Sequence, residues 1–240
     1  MSEQIYFYQL FESESSTFTY LIGDRKSQEA AIIDPVIEMA DRDAKLISEL
    51  GLKLKYTLET HVHADHITGA NELRKRTGAK TALSKNSGVH CADLLLGDGQ
   101  RLTLGQRTIE VIATPGHTDS CVSYLFGDMV FTGDALLIRG CGRTDFQQGS
   151  SEKLFQSVRE KLFKLPASTK VYPGHDYKGF TVSSIEEESK FNPRLALDKS
   201  LEDFQKIMSN LNLALPKKIK QSVPANLVCG DLTQVEAAST

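Results

Sequence analysis

The sequence predicts an α+β fold: two mixed β-sheets packed together and covered by helices. Three observations lead there. Strand pairs joined by short turns occur near the start of the chain and again in its middle. Amphipathic helical segments lie between and after them, in an order that is not the regular alternation of a doubly wound sheet. Every candidate ligand side chain falls just beyond the C-terminal end of a predicted strand, where loops carried on a rigid sheet commonly build sites.

The elements follow in order. Ile5 to Phe11 is rich in aromatic and β-branched residues, Phe18 to Ile22 ends at Gly23-Asp24, and Ala30 to Ile33 ends at Asp34-Pro35; each reads as a strand. Met39, Ile47 and Leu50 recur at roughly helical spacing, and Gly51 supplies a stop. Leu54 to Leu58 is a strand that runs into His61. Thr68 to Arg76 is a helix closed by Thr77-Gly78, and Lys80 to Leu83 is another strand. Arg101 to Leu104 and Thr108 to Ala113 form a hairpin across Gly105, and Cys121 to Phe126 and Met129 to Thr132 form a second. Ser151 to Leu165 carries Leu154, Val158, Leu162 and Leu165 on one face and is stopped by Pro166. Lys170 to Tyr172 is the last strand. The chain, 1–240, reads as a single domain with a short C-terminal extension from about residue 181.

Bulk properties exclude several classes. The net charge of -3 gives no footprint for nucleic acid or an anionic membrane, and no apolar run approaches the ~20 residues that span a bilayer. The start, Met1-Ser2-Glu3-Gln4-Ile5-Tyr6, with acidic Glu12 and Glu14 after it, does not read as a targeting segment. The expected location is cytoplasmic, or the mitochondrial matrix if a presequence is missing. Cys91, Cys121, Cys141 and Cys229 are widely spaced, which fits neither a thiolate zinc site nor a dense disulfide framework, so reduced thiols are expected. His90-Cys91 is isolated and reads as structural; Cys229 carries no signal.

The chemistry concentrates in a few positions. Of six histidines, three lie in Thr60-His61-Val62-His63-Ala64-Asp65-His66, and His117 and His175 each follow a Pro-Gly pair. Imidazole and carboxylate suit divalent transition metals. His61 and His63, two apart in extended chain, can face one site, with Asp65 and His66 reaching it from the side. His117 and His175 could complete two metal positions, and Asp134 could bridge both or serve one. Used sparingly, two histidines and a carboxylate make a facial triad suited to non-haem Fe(II). Used fully, the seven groups hold two metals that generate a hydroxide for hydrolysis. Spacing alone does not choose.

The same residues resemble the metallo-β-lactamase superfamily. The histidine cluster with Pro115-Gly116-His117, Thr132-Gly133-Asp134 and Pro173-Gly174-His175 matches its motif, over about residues 5 to 180. The resemblance implies an αββα sandwich with the metal site at one edge of the two sheets. Two branches share this ligand set: glyoxalase II thioesterases and persulfide dioxygenases. The segment Ala135 to Gly149, His175-Asp176-Tyr177 and the tail Val223-Pro224-Ala225-Asn226-Leu227 resemble the dioxygenases. Ser120-Cys121 stands where the thioesterases have Gly-His, Asp176 where they have Glu, and only about sixty residues follow Tyr177. Lys217, Lys218 and Lys220 read as a solvated charge run rather than a remnant of the thioesterases' glutathione site.

The dioxygenase resemblance implies one Fe(2+) per chain, held by His61, His117 and Asp134, which are then the catalytic residues. His63, Asp65, His66, Cys141 and His175 would surround them, around a second position left without metal. The implied reaction converts glutathione persulfide, O2 and water to glutathione and sulfite. Arg143 is the candidate for a substrate carboxylate, weighed evenly against a salt bridge to Asp145 or another loop acid. Tyr177 is the candidate for a hydrogen bond to substrate or to the Cys141 thiol, weighed against plain packing. The other readings are a binuclear thioester hydrolase and a non-catalytic glutathione- or metal-binding protein. Oligomeric state, monomer or homodimer, is left open.

Overall fold

A computed structural model of the chain describes residues 4–237. Its contacts cluster into two compact units: residues up to 96 with 102–108 and the chain from 215, and residues 97–101 with 109–214.

The first unit is built on β1 (Ile5–Glu12), β2 (Thr17–Asp24), β3 (Glu29–Ile33), β4 (Lys53–Leu58), β5 (Lys80–Ser84) and β6 (Leu94–Leu96), hydrogen-bonded in that order. β1 to β3 are antiparallel and β3 to β6 parallel. The sheet is therefore mixed, as the sequence predicts. Two parallel crossings are made by α1 (Ala40–Glu49) and α2 (Ala70–Thr77), as parallel pairing requires. Ile47 and Leu73 pack on Leu21, Ala30, Ile32 and Leu54.

The second sheet is ordered β12-β11-β10-β9-β8-β7, with β7 (Arg101–Leu104), β8 (Arg107–Ala113), β9 (Val122–Phe126), β10 (Met129–Gly133), β11 (Lys170–Pro173) and β12 (Ser183–Ser184). β8, β9 and β10 are antiparallel, and β10 and β11 are parallel. The β10–β11 crossing holds α3 (Ser151–Glu160), whose Leu154 and Val158 join Val130, Val171 and Phe204 in the core. Ser150 caps α3 by accepting from Lys153 N. The predicted helix to Leu165 is shorter: α3 ends at Glu160 and a 3₁₀ turn follows over 162–164. Pro166 holds Leu165 extended (φ -64, ψ 158), and the last turn tightens before it. The remaining helices are α4 (Ile185–Phe191), α5 (Leu201–Ser209), α6 (Ile219–Leu227) and α7 (Leu232–Ala237). Sequence reading missed β6 and β12, which are three and two residues long.

Cys91 and Cys229 form a disulfide, which corrects the expectation of reduced thiols at these two positions. Their separation of 138 residues gives no local pattern to read. Cys121 and Cys141 are buried thiols that take no part in a disulfide among the described residues. Lys218 is no solvated charge: its Nζ lies 2.9 Å from Glu38 and 3.2 Å from Glu14. Among the described residues no helix is long and apolar enough to cross a membrane.

Candidate metal centre

In the first unit the histidine cluster follows β4 directly, and three of its members, His61, His63 and His66, are buried. Two buried carboxylates that sequence reading passed over organise it. Asp34, just past β3, accepts from Thr60 N at 2.7 Å and Thr60 Oγ1 at 2.8 Å. The Thr60 hydroxyl proton is spent on Asp34, so its oxygen accepts from His61 Nδ1 at 3.0 Å. That chain places the His61 proton on Nδ1 and leaves Nε2 as the lone-pair donor.

His63 differs. Its Nε2 lies 3.1 Å from Asp34 Oδ1 and 3.3 Å from Glu59 Oε2. Burial disfavours its charged form, but the two carboxylates outweigh burial and raise the imidazole to about 10. Burial holds the Glu59 carboxyl above its usual range, and Thr68 Oγ1 donates to it. His66 Nδ1 donates to Asp65 Oδ2 at 2.9 Å. His63 Nδ1 and His66 Nε2 are buried with no hydrogen-bond partner among the described residues.

The loop itself is held from a distant segment. Asn226 on α6 donates to His63 O and His66 O, each at 2.9 Å, and accepts from Thr68 N at 2.9 Å. A buried peptide group left unpaired costs about 1–3 kcal/mol, so one side chain meets three such demands. Asn226 lay in the tail that signalled the resemblance, but nothing in its spacing announced this role.

In the second unit three strand ends deliver His117, Asp134 and His175, past β8, β10 and β11. His117 Nδ1 donates to the Arg143 carbonyl at 2.6 Å. A carbonyl can only accept, so Nε2 carries the lone pair, and it lies 3.6 Å from Asp134 Oδ2. His175 Nδ1 donates to Asp134 Oδ1 at 2.6 Å, orienting the carboxylate. Gly142 is required by close approach: a Cβ there would stand 2.7 Å from both His117 Nδ1 and Asp134 O.

The segment 136–143 is pinned by residues that no motif marked. Buried Glu188 on α4 accepts from Arg139 N at 2.9 Å and Ser183 Oγ at 2.6 Å, and pairs with the Arg139 guanidinium. Asn192 donates to Gly140 O and Arg194 to Cys141 O, both at 3.0 Å. Arg139 has φ +56, a left-handed backbone that these contacts hold.

The remaining candidates are placed as follows. Arg143 forms a two-pronged bridge to Asp145, at 2.6 and 2.7 Å, donates to Ala214 O and lies over the Phe146 ring. The bridge weighed against substrate binding is therefore present. Tyr177 is 73% exposed and its ring stacks parallel on His175, 6.1 Å away. The Cys141 thiol packs 3.8 Å from Met208 Sδ, and burial pushes it up to about 11, which leaves it unreactive at neutral pH. Asp176 accepts from Lys178 N and Phe180 N and so folds the turn beneath Tyr177.

The donor chemistry fits a transition metal. His61 and His117 are each held as Nε2 donors by a partner on the opposite ring nitrogen, and Asp134 is oriented by His175, the outer support that metal ligands need.

Comparison with known proteins places this arrangement. The model of the metallo-beta-lactamase superfamily matches residues 13–175, and the chain belongs to that superfamily. Its fold is the metallo-β-lactamase fold, two mixed sheets flanked by helices. Within it the chain is 56% identical to the persulfide dioxygenase ETHE1, mitochondrial, of Homo sapiens, over 92% of this chain and 87% of that protein. The crystal structure of ETHE1 from Myxococcus xanthus superposes with a TM-score of 0.91 at 56% identity, covering 94% of this chain and 99% of that one. Glyoxylase B2 of Dictyostelium discoideum is 32% identical, over 94% of this chain and 91% of that protein.

Proposed function

We propose that this chain is a persulfide dioxygenase that oxidises glutathione persulfide with O2 and water to glutathione and sulfite. The 56% identity to the human persulfide dioxygenase over 92% of the chain carries the reading. The relatives named as glyoxylase or hydrolase-like are much less similar, at 32% and 31%.

The proposed metal is a single Fe(II) per chain, with His61, His117 and Asp134 as its ligands. Bound there, Fe(II) supplies the redox chemistry that joins dioxygen to the outer sulfur of the persulfide. The chain's own residues do the positioning. Thr60 and the Arg143 carbonyl set the tautomers of the two histidines, and His175 turns the Asp134 carboxylate. The Nε2 of His63 is held by Asp34 and Glu59, which supports an orienting role for His63 rather than a place in the ligand set. Asp65, His66 and His175 then surround the ligands. Arg143 meets a glutathione carboxylate, although Asp145 already neutralises much of its charge. Tyr177 offers an exposed phenol beside His175.

The test is oxygen uptake with sulfite measured in parallel, on anaerobically purified, iron-loaded protein. Sulfite matched to oxygen, only when glutathione persulfide is present, supports the reading. Rapid anaerobic cleavage of S-D-lactoylglutathione with no oxygen uptake would replace it with a thioester hydrolase.

A further inference from the structure

Several observations converge on the end of α6 and the residues just after it, all within the first unit. Asn226 holds the histidine loop by its backbone, through His63 O, His66 O and Thr68 N. Three residues on, Cys229 packs in a small apolar cluster with Val62, Leu83 and Val89, so the same short segment also supports the loop between His61 and His63. Asn226 and Cys229 line one pocket with His61 and His63. Cys229 is tied covalently to Cys91, in the loop between β5 and β6. Gly230 finishes the contact: it sits at φ +80, and a Cβ there would stand 2.3 Å from Thr68 O.

We propose that Asn226 is a positioning residue for the metal-binding histidine loop, and that the Cys91–Cys229 disulfide is the strut that keeps it in place. The thiol–disulfide state of this pair then sets how tightly the loop holds metal. The inference rests on the proposed role of His61 as a ligand. Its physical basis is simple. The loop lies outside strands and helices, and among the described residues Asn226 donates the hydrogen bonds that orient two of its carbonyls. Without the strut, α6 is free to draw back by the fractions of an ångström that a ligand geometry does not tolerate. Cys91 is half-buried and Cys229 is 1% exposed, so the bridge opens by attack at Cys91. A thiolate attacks the Cys91 sulfur, the S–S bond breaks, and Cys229 leaves and is protonated. A second thiol resolves the mixed disulfide. Overall two thiols are oxidised to one disulfide and the bridge is reduced to two thiols. Glutathione, the product of the proposed reaction, is a reductant of this class.

The experiment uses the full chain. Thiols are first titrated in denaturant without reductant; of the four cysteines two should react, and four reacting would overturn the strut. Fe(II) and Co(II) affinities are then measured by chelator competition, before and after reduction with a phosphine. Reduction should weaken both about fivefold or more in the wild type and change nothing in Cys91→Ser, which should already bind at the weaker level. Unchanged affinity with all four thiols free would overturn the proposal. Asn226→Asp keeps size and the acceptor for Thr68 N but loses both donors. It should weaken metal binding as much as Asn226→Ala does, with altered Co(II) ligand-field bands. Wild-type affinity in Asn226→Asp would reduce Asn226 to packing. A wild type that binds Co(II) but not Fe(II) would fail the iron reading and still test this one; a wild type that binds neither would overturn both.

Discussion

The two units supply the proposed ligands in opposite ways. In the first, His61, His63, Asp65 and His66 arrive together on one loop, and their differences come from partners elsewhere in the chain. His61 is a lone-pair donor through Thr60 and Asp34, whereas His63, two residues on, is taken by Asp34 and Glu59. In the second unit His117, Asp134 and His175 arrive from three strand ends, each just after a glycine. Their orientations come from each other and from the Arg143 carbonyl. A contiguous motif thus announces a site and leaves its roles unsorted. Dispersed turns are harder to find but have one role each.

The comparison breaks most sharply at the ligands. His117→Ala and Asp134→Ala should each reduce iron content and oxygen uptake to background, because two protein ligands would remain. His63→Ala should keep its iron and change only turnover. Metal analysis beside circular dichroism decides it: iron-free but folded His63→Ala protein would show that the loop's roles have been sorted wrongly.

A smaller effect is expected where the second unit is tightest. Gly142→Ala puts a Cβ 2.7 Å from His117 Nδ1 and Asp134 O, so the imidazole must move. Displacing a reacting group by about an ångström costs roughly a hundredfold in rate. Steady-state kinetics should show that loss in kcat, and a near-normal kcat would mean that the 140–143 turn yields easily.

Stability should tell the units apart less. Asp34→Ala strips partners from Thr60 and His63, and Glu188→Ala strips them from Arg139 and Ser183. Breaking a buried charged pair costs about 3–5 kcal/mol. Urea unfolding should place both variants in that range. A cost below about 1 kcal/mol for Asp34→Ala would mean that the histidine loop tolerates its loss.

The smallest expected effect concerns Arg143. If it meets a substrate carboxylate, Arg143→Ala should raise KM for glutathione persulfide about tenfold or more, from the roughly 1.5–3 kcal/mol of a charge-assisted contact. Small persulfides without those carboxylates should be much less affected, and iron content should not change. Equal losses on both substrates would assign Arg143 to its bridge with Asp145.

Much of the fold was legible because its strands and helices advertise themselves. Runs such as Ala30 to Ile33, and the Leu154-Val158-Leu162 stripe, carry the periods of the elements they form. The short strands β6 and β12 were not legible, since two or three residues hold no period. The disulfide was missed for a related reason: Cys91 and Cys229 each stand alone in sequence and meet only after folding.

By itself the sequence determined which groups can bind metal, that they follow strand ends, and which superfamily owns the pattern. Those properties are local: a histidine's chemistry and a strand's alternation are written within a few residues. Only the tertiary structure decided the proton positions on His61 and His117, the diversion of His63 to Asp34 and Glu59, and the hold of Asn226 on the loop. Each depends on a partner brought up by a different part of the chain: Asp34 stands 29 residues from His63, and Asn226 stands 163. Hydrogen bonds act over about 3 Å, and no local pattern records which distant residue folding brings that close.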